Sequence, residues 1–346
     1  MRLMFVGDLS CGEHFFSFGH GPRSLIDRGE RIFDRVESLF RQADYVVGNL
    51  EGPTSDNGLR ENDPLSWVFR ASPFTIDQLV DANINVLSVA NNHSMQHGPD
   101  AFDETVRLLR SSKIHVIGIE NSDPLILRKD GLEVGLLAYS CVPDNEYPGE
   151  EKYSPFNLEI CLQQTRDLSD QVDCVIVCLH WGEEGQGEPT KEQRSIARKL
   201  RSAGANFIVG HHPHVMYEIE PAVCGLVAYS LGNFVFDLPW DKRMRMSGVL
   251  DLDLSEMSRS NSQRSYEASF WPVSIRKDGK PQLTSNNPQT ISLLEPKVYG
   301  GYANQSLHCQ GMRKFIYLFM NLARGRTLLK LKFLAWKLKC KLKAQR

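Results

Sequence analysis

No run of uncharged apolar residues in this chain approaches the ~20 that a membrane-spanning helix requires. A secretory signal is not expected, because a single Arg2 leads straight into Leu3-Met4-Phe5-Val6, which reads as a first core strand. The eight cysteines, Cys11, Cys141, Cys161, Cys174, Cys178, Cys224, Cys309 and Cys340, contain no C-x-x-C pair. Most lie in apolar, strand-like contexts, as reduced buried thiols of a reducing compartment do. Internal repeats and low-complexity linkers are missing. Acidic residues are missing altogether from 296–346, a stretch that carries 12 of the 40 Lys+Arg. Residues 1–295 therefore hold 28 basic against 42 acidic residues, a formal −14 beside a tail of +12. An acidic body argues against broad nucleic-acid binding, and the tail points to an anionic partner such as a membrane surface. At 346 residues the chain is one large domain or two modest ones, and its composition shifts near Pro296. The reading is a domain over 1–295 and a basic amphipathic tail over 296–346.

Histidine is also scarce, 10 in all, yet three fall within His211-His212-Pro213-His214, just after the apolar run Asn206–Val209. A strand running into a loop with His-x-His presents imidazoles at one rim. Neutral imidazole suits zinc, iron, manganese and nickel.

Four other strand-like runs end in the same manner. Arg2–Val6 is followed by Gly7-Asp8, and Asp44–Val47 by Gly48-Asn49-Leu50-Glu51. Asn49 and Glu51 flank Leu50 and share a face. Ile84–Ala90 ends in Asn91-Asn92-His93, and Val172–Leu179 in His180-Trp181-Gly182-x-Glu184. Open α/β sheets place ligands at the carboxyl ends of their strands. Oxygen and imidazole donors without thiolate favour a divalent pair such as Mn, Fe or Zn, able to activate a water. The chain alternates strand and helix through its first two-thirds, where the apolar run Leu132–Ser140 is expected to continue the sheet, and is mainly strand later. One helix is expected over Ile26–Ala43, with further helices over Phe74–Ala82, Ala101–Arg110, Leu158–Leu168 and Lys191–Ala203. Residues 143–158, rich in Pro, Tyr and Asn, form a lid or substrate loop.

The ordered motifs Gly-Asp, Gly-Asn-x-Glu, Asn-His, His and Gly-His…His resemble the calcineurin-like metallophosphoesterase superfamily. The longer motifs Asn49-Leu50-Glu51, Ala90-Asn91-Asn92-His93, His180-Trp181-Gly182-x-Glu184, Gly210-His211-His212-Pro213-His214-Val215 and Tyr229-Ser230-Leu231-Gly232-Asn233-Phe234 resemble the CapA/PgsA family of capsule and poly-γ-glutamate synthesis. The resemblance spans roughly 1–255. It implies an α/β fold, a four-layer α/β/β/α sandwich, with two divalent ions at the strand ends. Asp8, Glu51, Asn92, His180, His212 and His214 would hold them, with His93 as general acid. Asn49, His211, Glu184 and Asn233 would support them or face substrate. Three departures touch substrate contacts: Gln96 stands where many members have Asp, Gly185 where a Tyr often follows, and Leu9–His14 lacks an Arg.

The reading is a capsule or exopolymer synthesis protein acting as a metal-dependent hydrolase on a phosphoester or γ-glutamyl bond. The rival is a non-catalytic factor that binds an anionic polymer. No nucleic-acid partner is expected. The location implied is cytoplasmic, with peripheral attachment at the inner face of the membrane. In 330–343 six Lys alternate with apolar residues. Read as a helix, Leu331, Leu334, Ala335, Leu338 and Leu342 form one stripe edged by Lys. That pattern suits an interfacial helix spanning part of 312–346. A helix docked on the body and a solvated tail are the alternatives.

Overall fold

The computed structural model of the chain describes residues 1–222, 224–237, 240–258, 265–291, 295–299 and 310–344. Residues 300–309 of the expected tail, with Cys309, lie outside them.

The parallel strands come from short apolar runs, the pattern expected where both faces of a sheet are covered. β1 (Arg2–Leu9), β2 (Tyr45–Leu50), β3 (Ile84–Ser88) and β4 (His115–Ile117) pair in parallel in that order. A second sheet begins with β5 (Leu125–Lys129), which pairs antiparallel with β6 (Leu132–Ser140). β7 (Cys174–His180), β8 (Phe207–His211), β9 (Ile219–Ala222) and β10 (Gly225–Ala228) complete it, in the order β5-β6-β7-β8-β10-β9. The chain then returns to the first sheet. β11 (Asn233–Val235) pairs with β1, and β12 (Met246–Asp253) joins β1 on the side away from β2. β13 (Glu267–Ile275), β14 (Pro281–Leu283) and β15 (Gln289–Thr290) extend that edge.

Alternation along the second sheet explains the layering. In β7, Cys174, Ile176 and Cys178 join the core shared with the first sheet. Val175, Val177 and Leu179 face α5 (Leu158–Ser169) and α6 (Lys191–Ser202), which cover the outer side. α1 (Pro22–Asp27), α2 (Glu37–Phe40), α3 (Thr75–Asp81) and α4 (Pro99–Ser111) pack with the first sheet. The result is the four-layer α/β/β/α sandwich. Two local expectations are corrected. The helix expected over Ile26–Ala43 is broken into α1 and α2, because Gly29 ends the first in the left-handed region at φ 78°. Ile32, Phe33 and Val36 are nonetheless buried in the turns between them. The strand over Leu132–Ser140 lies in the second sheet, between β5 and β7, and does not continue the first.

The tail forms α7 (Gln310–Asn321) and α8 (Thr327–Ala344). Of the alternatives open in the sequence, the first half of α8 docks. Leu329 and Phe333, one turn apart, enter an aromatic cluster with Phe15, Phe16, Phe18 and Trp67. Phe333 stacks on Phe15 with ring centroids 4.3 Å apart, and the Arg326 guanidinium lies 3.7 Å over Trp67. Lys330 is fully buried and donates to the carbonyls of Asn321 (2.8 Å) and Arg324 (2.7 Å). Burial pushes its ammonium down to about 8. Phe333→Ala is expected to release α8 at a cost of about 3–5 kcal/mol. The check is amide exchange, with protection lost across Thr327–Ala344 and kept in β1–β3.

Candidate metal centre

Close backbone approaches bring the strand ends together. A Cβ on Gly7 would lie 1.9 Å from the Gly232 carbonyl oxygen, so only glycine lets β1 lie against the segment preceding Asn233. A Cβ on Gly210 would lie 2.0 Å from the Tyr229 carbonyl oxygen. The loop after β8 then holds His212 at φ 96° and His214 at φ 60°. Non-glycine residues avoid this region, and such strain concentrates at functional sites.

The structure brings every residue singled out for the site into one buried region, except that Glu184 is exposed at its mouth. Asp8 sits at the centre. Its Oδ1 accepts from Asn49 Nδ2 (2.8 Å) and lies 3.2 Å from His211 Nδ1. Its Oδ2 accepts from the His212 backbone N–H (3.2 Å) and lies 3.5 Å from His214 Nδ1. His180 Nε2 is 2.8 Å from Asn92 Oδ1, and its Nδ1 is 3.3 Å from Asn49 Nδ2. The His180 and His212 rings are 4.7 Å apart. Asn233 Oδ1 accepts from His214 Nδ1 at 2.9 Å, which leaves His214 Nε2 facing Glu51 Oε1 at 3.6 Å.

That last pair is the informative one. Both Glu51 oxygens are buried without a hydrogen-bond partner. Buried acceptors are costly unless paired, and a carboxylate most of all. Asp8, Glu51 and His214 offer ligand atoms all within 4.8 Å of one another, as do Glu184, His212 and His214. Burial and the neighbouring Asp8 charge push Glu51 well above the usual carboxylate range. Burial opposes ionisation of Asp8 too, but hydrogen bonds from His211 and His214 outweigh it and hold Asp8 well below that range. Burial would lower His214, yet Glu51 and Asp8 raise it to about 10. Burial, with His214 adding to it, lowers His212 to about 4, and burial with His212 depresses His180 strongly. The neutral imidazoles of His180 and His212, with His214 whose proton a bound cation would displace, stand beside two carboxylates and no thiolate, a set that fits one or two divalent cations of the hard-to-borderline class. A cation would also supply the partner that Glu51 lacks.

His93 stands at the edge of this set, its Nε2 3.9 Å from Glu51 Oε1. Its Nδ1 is 2.6 Å from Gln96 Oε1, so the ring donates there and turns Nε2 inward. Gln96 thus supplies an orienting acceptor for the ring. Asn145, on the loop over 143–158, closes over the ring: its Nδ2 is 3.4 Å from His93 Nδ1, and its backbone N–H donates to the Asn92 carbonyl at 3.0 Å. Phe69, held at φ 54°, packs its ring 4.6 Å from His93. Sequence reasoning flagged Gln96 as a departure and the loop as a lid, but missed Asn145 and Phe69. Their contacts are long-range and follow no spacing. Asn91, to which the motif gave no role of its own, donates from Nδ2 to Asn49 Oδ1 (3.1 Å) and to the Leu50 carbonyl (2.8 Å). Gln96→Ala is expected to lower turnover about 10–100-fold, the usual cost of losing a partner that orients a functional ring, while Gln96→Asp keeps most of it. Metal content measured beside rate should be unchanged in both.

Residues 2–238 match the family described as bacterial capsule synthesis protein PGA_cap. The chain belongs to this family. Every candidate residue of the site, from Asp8 to Asn233, falls within the matched segment, and the docked tail falls outside it. The chain is similar to the PGA biosynthesis protein CapA of Bacillus subtilis (strain 168), 29% identical over 294 residues, covering 81% of this chain and 75% of that protein. It is similar to the capsule biosynthesis protein CapA of Bacillus anthracis, 28% identical over 318 residues, covering 86% and 72%. Among solved structures it is similar to the 5'-nucleotidase from Candida albicans SC5314, with a TM-score of 0.46, 11% identity, and coverage of 80% of this chain and 52% of that one. Membership in PGA_cap places the chain among capsule synthesis proteins, as its motifs implied.

Proposed function

We propose that this capsule synthesis protein is a metal-dependent hydrolase that cleaves a phosphoester or γ-glutamyl bond during synthesis of an anionic exopolymer. The observation that carries the reading is the pair of partnerless Glu51 oxygens set between Asp8 and His214. Asp8, Glu51, Asn92, His180, His212 and His214 would hold the cation, with Glu184 reaching it from the rim. A divalent ion held there supplies charge stabilisation and an acidified water at neutral pH.

The chain's own residues do the rest. His93 presents Nε2 to the space beside Glu51 and gives its proton to the leaving group. Gln96 fixes the ring so that Nδ1–H is already spent and Nε2 is the atom that transfers. Burial lowers the pKa of His93, so the resting ring is neutral. An anionic substrate beside it favours the charged form and loads the proton where it is used. Asn145 and Phe69 shield the ring from water. His211 and Asn233 orient Asp8 and His214 by the contacts described above. A site that only stored an ion or anchored a polymer would have no use for an oriented imidazole outside the ligand set, which favours catalysis over the non-catalytic rival.

The test is metal analysis of the purified chain, then a hydrolysis screen with the metal found, using phosphomonoesters, phosphodiesters and γ-glutamyl peptides. Bound Mn, Fe or Zn and a chelator-sensitive activity are expected. A fully loaded protein that cleaves none of these overturns the reading. Ligation also predicts stabilisation. Free metal at a hundred times its Kd should add about 2.7 kcal/mol to unfolding, read as a rise in Tm that chelation reverses.

A further inference from the structure

The two faces of α8 do different things. Leu329, Lys330 and Phe333 are buried against the body, and Leu334 is half-buried beside them. Leu328, Leu331, Ala335, Leu338 and Leu342, spaced three and four apart, occupy the opposite face and are exposed. Leu328 is 66% exposed, Leu338 60% and Leu342 54%. Residues so spaced form one continuous stripe on a helix. Lys332, Lys339 and Lys343 border it on one side and Lys341 on the other, while the Lys337 ammonium turns to the docked side, 5.9 Å from the Phe15 ring. The stripe first read from the sequence thus gains Leu328 and yields Leu334 to the docked face. On α7, Phe319 and Met320 are exposed as well, at 73% and 71%.

We propose that this face of α8 binds an anionic lipid surface and holds the capsule synthesis protein on it, lying in the interface without spanning. The stripe is apolar and needs cover that water does not give, and among the described helices none is long and apolar enough to cross a membrane. Lysines on both borders can bury their stems and keep their charges at headgroup depth. A second copy of α8 is disfavoured, because 296–346 has no acidic residue and a self-paired seam would set lysine against lysine on both sides. A soluble anionic polymer would satisfy the lysines and leave the leucines uncovered.

The docked face gives the attachment an orientation. Phe333 stacks on Phe15, Phe15 neighbours the His14 ring at 4.7 Å, His14 lies 5.5 Å from Phe69, and Phe69 lies 4.6 Å from His93. The helix that meets the lipid therefore sits on the same aromatic wall that borders the site.

The test is flotation of the full chain with phosphatidylcholine vesicles, with and without phosphatidylglycerol. The chain should float with the anionic vesicles, stay down with neutral ones, and release as salt rises. The combined variant Leu328→Ser, Leu331→Ser, Leu338→Ser, Leu342→Ser should bind at least about tenfold less, with amide protection at Leu329 and Phe333 retained to show that α8 still docks. Lys339→Glu with Lys343→Glu should also lose at least about tenfold. Undiminished flotation of the Ser variant overturns the proposal. So does a wild-type chain that ignores anionic vesicles, whether it self-associates through the stripe or binds soluble polyglutamate instead. None of these readouts depends on hydrolysis, so the proposal and the hydrolase reading fail separately.

Discussion

Asp8→Asn is expected to empty the site and lower turnover by at least about 10³-fold, because the acidified water that an ion supplies is lost with it. The two side chains have the same shape, so packing is preserved. The carboxylate that draws on Asn49, His211, the His212 backbone and His214 is not. Asp8 is fully buried and is the one site carboxylate whose surroundings hold it ionised. Removing that charge leaves Glu51, whose burial opposes ionisation, as the remaining buried carboxyl group among the imidazoles. Metal content by elemental analysis should fall together with rate. A variant that keeps its metal and its rate would make Asp8 a structural residue that merely steadies the histidine loop.

His93→Ala separates a proton donor from a ligand. Turnover should fall about 10²–10⁴-fold, the usual worth of a positioned acid, while bound metal stays at its wild-type level. His93 contacts Gln96, Asn145 and Phe69 and reaches the ligand set only across 3.9 Å to Glu51. Substrates with good leaving groups need little protonation, so they should be hurt least. Loss of metal in this variant would instead make the imidazole a ligand or its support.

The strand ends were legible in the sequence for a definite reason. A strand covered on both faces must be apolar throughout, as Cys174–Leu179 is, so the first polar residue after it marks the carboxyl edge. That placed Asp8, Asn49, Glu51, Asn92, His180 and the histidine loop correctly without knowledge of which strands pair. The division into two sheets was not legible. Apolar content says that a strand is buried and nothing of its neighbour, so Leu132–Ser140 was assigned to the wrong sheet. Helical spacing over Ile26–Ala43 correctly marked the buried residues and missed the break at Gly29, because turns can bury Ile32, Phe33 and Val36 as well as a helix can. In α8 the spacing rule found one apolar stripe and set Phe333 aside. The helix has two such faces, and the one that docks needs only two residues a turn apart.

The donors are drawn from both layers of the sandwich. Asp8, Asn49, Glu51, Asn92 and Asn233 leave the nine-stranded sheet, and His180, His211, His212 and His214 leave the six-stranded one. A cation held between them would be a tie bar across the seam, and its grip would depend on how one layer is registered over the other. Any substitution that lets the layers slip, even deep between β1 and β8, would be felt first as a looser ion and only later as a lost fold. Metal occupancy then serves as a gauge of layer alignment, readable long before the protein unfolds.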